Sequence, residues 1–233
     1  HDFNSRARPT SGGLSLAGCA TEEKAQDTGT ADTGPAAQDT KPANSTTTKP
    51  APAPIELQGR GKSATQPFTI DGGLAIFRTT HAGSSNFVVK LSNSQGVTSE
   101  FLVNAIGAYM GSTARSVPAG QYLLNIEANG AWTVKINQDR PTSGDKLPKV
   151  YDGEGQSVAG PFEGSGGGVR FVLRHTGSSN FVVKQLDKDG DTVGFLVNEI
   201  GASDTSEVRR VPKGIYYLGI EADGTWHIES TPT

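Results

Sequence analysis

HAGSSNFVVK at residues 81–90 is written again as HTGSSNFVVK at residues 175–184, and the reading of that pair decides the fold. The offset is 94 positions (175 − 81 = 94), and it holds without insertion or deletion as far as Trp132 and Trp226. FLVNAIGA at 101–108 recurs as FLVNEIGA at 195–202, and the blocks VP, G, Y, L and IEA lead to both tryptophans. The match runs back to Gly59 and Gly153, with about half of the paired positions identical, so each copy is a module of roughly 80 residues. The chain is a tandem duplication.

With 233 residues and two copies, each module lies near the lower size at which one core is self-sufficient. The overall 34% hydrophobic content understates the repeats, because the first 54 residues hold almost no large apolar side chains. A net charge of −3, a pI near 5.8 and the lack of a clustered Lys/Arg stripe give no footprint for nucleic acid, which is not expected as a partner. No run reaches the ~18 apolar residues of a membrane-spanning helix. The only cysteine is Cys19, so no internal disulfide supports either module.

Strand signals follow one another at short spacing, with Gly, Asn and Asp between them, and helical periodicity is not sustained anywhere. In the first copy, strands are expected at 67–70, 74–79, 86–91, 101–106, 113–117, 122–128 and 132–136, and in the second at positions 94 higher. Tyr122, Leu124 and Ile126 alternate with polar neighbours, as do Trp132, Val134 and Ile136, which places both sets on a core face. Asn129-Gly130 and Asp223-Gly224 between those last two strands predict a terminal hairpin. Seven or so short strands per copy predict an all-β protein of two tandem antiparallel β-sandwich domains, jelly-roll-like, after a disordered N-terminal linker. The boundaries read 1–18 as a signal-peptide remnant, 19–54 as a tether, 55–138 as the first repeat, 139–150 as a linker and 151–231 as the second repeat. Pro141, Gly144 and Pro148 mark that linker and predict a joint between the modules.

Leu16, Ala17, Gly18 and Cys19 are followed by a polar, threonine-rich stretch. This context resembles the lipobox of bacterial lipoproteins. The resemblance implies cleavage before Cys19, lipidation of its thiol and attachment outward-facing on a bacterial cell envelope, with acyl chains contributing about 0.8 kcal/mol per buried methylene. The upstream part departs from the pattern: Arg6 and Arg8 stand for the charged start, but residues 1–15 lack the apolar run of a usual signal. A chance LAGC tetrad with an idle thiol is the competing reading. Residues 20–54, ending in KPAPAP, contain no aromatic side chain and are expected to stay disordered, a coil of ~30 Å root-mean-square reach.

The sharpest polar cluster is His81 with Ser84, Ser85 and Asn86, repeated as His175 with Ser178, Ser179 and Asn180. A nucleophilic reading needs a serine in reach of an oriented base, with a carboxylate behind and an oxyanion hole ahead, and no elbow motif supplies that geometry. The competing reading is a turn in which Ser and Asn bond backbone amides. These eight residues, with Tyr109 and Tyr217, are the candidate ligand contacts; the two tyrosines are chosen because they break the duplication, standing against Ser203 and Leu123. Asp187, Asp189 and Asp191 in DKDGD form a weak cation candidate, but the glycine is fourth rather than sixth and position twelve is Asn198, so a solvated hairpin turn is expected. Trp132 and Trp226 share faces with Val134 and Ile228, which marks them as core rather than as sugar platforms. Asn104 and Asn198, inside apolar FLVN, are expected as edge or buried amides. No cofactor is implied. The residues lead to a non-catalytic, lipid-anchored surface protein with duplicated modules for binding, adhesion or assembly, whose partner is a polysaccharide or another surface protein. A carbohydrate-binding pair and a hydrolase using the His-Gly-Ser-Ser segment are the alternatives.

Overall fold

The structure is a computed structural model, and it describes residues 50–233. Every regular element among them is a strand. Repeat 1 contains β1 (Ile55–Arg60), β2 (Ser63–Ala64), β3 (Phe68–Ile70), β4 (Gly73–Ala82), β5 (Asn86–Asn93), β6 (Thr98–Ile106), β7 (Tyr109–Val117), β8 (Gly120–Glu127) and β9 (Ala131–Asn137). Repeat 2 contains β10 (Lys149–Glu154), β11 (Ser157–Gly164), β12 (Gly168–His175), β13 (Asn180–Asp187), β14 (Thr192–Ile200), β15 (Ser203–Arg210), β16 (Gly214–Glu221) and β17 (Thr225–Pro232). All seven strands expected in repeat 1 are present; β1 and β2 are additional, and β10 begins inside the segment read as a linker.

Each repeat is a sandwich of two antiparallel sheets. The back sheet of repeat 1 has the order β1-β9-β4-β7, and its front sheet has β2-β8-β5-β6 with β3 beside β8. In repeat 2 the back sheet is β10-β17-β12-β15 and the front sheet β11-β16-β13-β14. The period-2 alternation read from the sequence accounts for this arrangement. Tyr122, Leu124 and Ile126 point from β8 into the same interior as Trp132, Val134 and Ile136 from β9, joined by Phe77 and Phe87. Repeat 2 closes around Phe171, Phe181, Leu218 and Trp226. Each of these large side chains contributes about 1.5–3 kcal/mol by leaving water.

The hairpin expected at Asn129-Gly130 is not formed. β8 pairs with β5 in the front sheet, whereas β9 pairs with β1 and β4 in the back sheet. The Asn-Gly pair therefore bridges two sheets. Its glycine is needed for close approach rather than for a two-residue turn, since a Cβ there would run into the Ala82 carbonyl oxygen. The turn at 187–191 does join paired strands, β13 and β14, as expected.

The two modules pack against each other. Leu74, Ile76 and Ala114, on the outer side of the back sheet of repeat 1, form a buried cluster with Leu186 and Tyr217, and Val158 packs against it from the front sheet of repeat 2. The edge strand β7 is extended by the start of repeat 2: the Ser112 amide donates to the Gln156 carbonyl at 2.9 Å, and the Val158 amide to Ser112 Oγ at 2.9 Å. Both repeats belong to one compact unit. The contact joins unlike faces, back of repeat 1 to front of repeat 2, so each buried position is exposed or differently used in the other copy. The residues 94 positions away from Leu74, Ile76, Leu186 and Tyr217 are Gly168, Arg170, Ser92 and Leu123.

Candidate functional site

The His-Gly-Ser-Ser segment connects the back-sheet strand β4 to the front-sheet strand β5, and its twin connects β12 to β13. His81 and His175 close the back-sheet strands with their rings turned inward, where both are buried. Each ring stacks on the phenylalanine six residues later, with centroids 4.4 Å apart for His81 and Phe87 and 4.7 Å for His175 and Phe181. The Nδ1 of His81 is 2.7 Å from the Gly107 carbonyl, and that of His175 is 2.9 Å from the Gly201 carbonyl. Each Nδ1 therefore carries the proton and donates it, which ties the β4–β5 connection to the β6–β7 connection.

The serines are held from the opposite side. In repeat 1, the Ser84 and Ser85 amides donate to Asn129 Oδ1 at 3.1 and 3.2 Å, and Asn129 Nδ2 donates to Ser84 Oγ at 3.2 Å. In repeat 2, Asp223 Oδ2 accepts the Ser178 and Ser179 amides at 3.1 and 3.0 Å and the Ser178 hydroxyl at 3.2 Å. Amide donation from Ser179 holds the Asp223 carboxyl below its ordinary value against the opposing effect of desolvation, with the Ser178 amide and hydroxyl adding to the lowering. His175 Nε2 lies 3.3 Å from Asp223 Oδ1 without the alignment of a hydrogen bond. Serine, histidine and aspartate thus meet in repeat 2 in the wrong order for catalysis: the serine hydroxyl donates to the carboxylate, and no hydrogen bond joins the imidazole to the serine. Asn86 and Asn180 begin the next strand with exposed side chains. Asn129 and Asp223 are the residues that the sequence did not assign to this cluster. Reading their Gly neighbours as hairpin signals hid a side chain that reaches across the sandwich end.

Neither tyrosine proposed as an exposed contact is free. Tyr217 is buried in the inter-repeat cluster, and burial pushes its phenol up to about 12. Tyr109 is half-buried against Phe87 and donates its hydroxyl to Gln156 Oε1 at 2.8 Å, with its phenol also pushed up to about 12 by burial. Gln156 Nε2 in turn donates to Thr113 Oγ1. Both tyrosines break the duplication because they build the contact between its halves.

The three carboxylates of DKDGD do not converge. Asp187 Oδ1 accepts the amides of Asp189 and Asp191 at 2.9 and 3.0 Å, and Asp189 pairs with Lys188 at 2.6 Å. Asn93 Oδ1 accepts the Gln95 and Val97 amides in the same way in repeat 1, so the pattern is a turn device that needs only an acceptor oxygen. Among the described residues, no group of three His, Cys, Asp or Glu side chains is placed to hold a metal ion. Trp132 and Trp226 are buried as expected, donating to the Gly61 and Gly155 carbonyls at 3.1 and 3.0 Å. Asn104 and Asn198 lie exposed on β6 and β14, the edge strands of the two front sheets. Cys19 and the expectations for residues 1–49 lie outside the described residues.

Several concavities follow the seam between the repeats. A groove of 1080 Å³ runs between the back sheet of repeat 1, at Thr80, Thr133 and Met110, and the β10–β11 turn at Glu154 and Gln156. A smaller cleft of 270 Å³ places Phe101 and Asn104 of β6 opposite Asn180, Glu221 and Asp223 of repeat 2.

No family model matches the chain, and no curated protein matches it. Among solved structures, it is similar at 10% identity and a TM-score of 0.23 to a conserved protein of unknown function from Pseudomonas aeruginosa, over 76% of this chain and 79% of that one. The exported protein XepA of PBSX matches at 9% identity and a TM-score of 0.24, over 76% and 85% of the two chains. The stem and receptor-binding domain of a spike protein from bacteriophage PM2 matches at 7% identity and a TM-score of 0.16, over 80% and 99%.

Proposed function

We propose that this chain is a non-catalytic, lipid-anchored protein of the outward-facing bacterial envelope, in which a fused pair of β-sandwiches serves binding, adhesion or assembly. One observation supports the non-catalytic part above others: the serine amides of the His-Gly-Ser-Ser segment are engaged in closing the sandwich end, and they are engaged alike where the accepting residue is Asn129 and where it is Asp223. A catalytic carboxylate would not tolerate an amide in its place, whereas a loop clamp needs only an acceptor oxygen. The LAGC tetrad at 16–19 and the threonine- and proline-rich segment after it support the anchor and tether.

The test has two arms. The purified full chain is treated with a serine-directed fluorophosphonate probe, and it is sedimented with isolated bacterial envelopes. The expected result is no labelling, together with envelope binding that Ser178→Ala leaves unchanged. Labelling that disappears in Ser178→Ala would establish a hydrolase and overturn the reading.

A further inference from the structure

The duplication reports which surface matters once the outward-facing positions are known. On the front sheet of repeat 1, register places Phe101 beside Lys90, Asn104 beside Val88, and Ile106 beside Asn86, with Glu127 next to Val88 on the other side. The register of repeat 2 is the same. All seven of these outer-face residues recur unchanged 94 positions later. The outer faces of the back sheets differ at most positions, Ser112 and Ser206 being alike. Thr80 stands against Arg174, Met110 against Asp204, Thr133 against His227, Lys135 against Glu229 and Ile76 against Arg170.

Core identity between the copies follows from packing volume, but exposed positions are nearly neutral for stability and free to diverge. The retained positions include exposed apolar side chains that folding does not call for. Phe101 and Phe195 are 59% and 53% exposed, and Ile106 and Ile200 are 79% and 81% exposed. Each phenylalanine is backed by a lysine, with Nζ 5.2 Å from its ring centroid in repeat 1 and 5.9 Å in repeat 2. Each lysine is paired to a glutamate, Lys90 to Glu127 at 3.4 Å and Lys184 to Glu221 at 2.6 Å. The front face does diverge at Asn125, beside Lys90, where repeat 2 has Gly219, and at its far end, at Ser92 and Leu123, whose counterparts are buried between the repeats.

The geometry points to these two copies of one front-face patch as paired binding sites for a neutral polysaccharide, a conclusion that rests on the binding reading above. Two like sites on one packed body suit a ligand that repeats along its length. Phe101 and Phe195 offer aromatic surface for the C–H side of a sugar ring, and Asn104 and Asn198 offer an amide that both donates and accepts to hydroxyls. The lysine and glutamate of each patch neutralise one another. An added β-strand is disfavoured, because the edge carbonyls beside the phenylalanines are already taken. Thr113 Oγ1 donates to the Leu102 carbonyl at 3.2 Å, Arg115 to that of Phe101 at 3.4 Å, and Arg209 to that of Phe195 at 3.5 Å. The two patches also approach each other at the 270 Å³ cleft, where Phe101 and Asn104 face Asn180 and Glu221.

The full chain is applied to a printed array of neutral and acidic oligosaccharides and to purified peptidoglycan, alongside Phe101→Ala, Phe195→Ala, the double variant and the back-face variant Thr133→Ala. Binding to neutral glycans is expected. Each single phenylalanine variant should weaken it by about threefold to tenfold, and the double variant by about a hundredfold, because two linked sites reinforce each other. Thr133→Ala should bind as the parent does. A double variant that binds undiminished would overturn the site while leaving the binding reading intact. Parent protein that sediments with envelopes but ignores every glycan would overturn the ligand class, and self-association abolished by the double variant would assign the patch to a second copy of this chain.

Discussion

Gly59 lies directly beneath the indole of Trp132, its register partner across β1 and β9, and Gly153 lies in the same way beneath Trp226 across β10 and β17. A Cβ on either glycine would run into the ring. Gly59→Ala and Gly153→Ala should each destabilise by about 1–3 kcal/mol through overpacking, since the indole is fixed by its bond to the Gly61 or Gly155 carbonyl and cannot swing aside. At this size that lowers Tm by about 2–4 °C per kcal/mol. Thermal melts with the parent as reference check this, and unchanged midpoints would show that the indole yields.

That pairing also explains what the sequence disclosed and what it withheld. The seven strands around Tyr122, Leu124 and Trp132 were legible because apolar and polar residues alternate there with period 2. β1 was not: IELQGR offers only Ile55 and Leu57 before a glycine, and the glycine's purpose depends on a tryptophan about 70 positions further on. The Asn129-Gly130 pair was misread because a hairpin and an inter-sheet bridge make the same local demand for Asn and Gly. Tyr109 and Tyr217 break the repeat, but a break marks any position whose surroundings differ between copies, and here the difference is the contact between them. The front-face identities stood in the sequence throughout. Seeing that they share a face required the register, including the irregularity between Val89 and Lys90 that shifts Phe101 onto the outer side.

Exchange of Asn129 and Asp223 should transfer acid sensitivity from one repeat to the other. The carboxyl of Asp223 is held below its ordinary value of 3.8 in the fold, so its contribution is present above about pH 4 and is lost as pH falls through the lowered folded value. Asn129 has no proton to gain. Asp223→Asn should therefore lose less stability than the parent between about pH 6 and about pH 3, and Asn129→Asp should lose more. Urea midpoints across that range measure it, and parallel curves for all three proteins would contradict the clamp.

Ile76→Arg and Leu186→Ser place at the seam the residues found at the matching positions of the other repeat, Arg170 and Ser92. Both Ile76 and Leu186 are buried in the inter-repeat cluster. Each substitution should cost about 2–5 kcal/mol, by burying an unpaired charge or by opening a cavity. Because the loss falls on the contact rather than on either interior, the parent should unfold in one transition and each variant in two. Calorimetry of the full chain resolves this, and a single lowered transition in both variants would mean that the repeats depend on each other beyond this cluster.

Hydrogen exchange of the full chain, with and without the glycan bound most tightly on the array, tests most directly which face of the duplicated sandwich meets its partner. Added protection is predicted in β5, β6 and β8 and in β13, β14 and β16, at matching positions of both repeats, with the back-sheet strands β4, β9, β12 and β17 unchanged. Protection confined to the back sheets, or to the groove beside Thr80 and Thr133, would contradict the account.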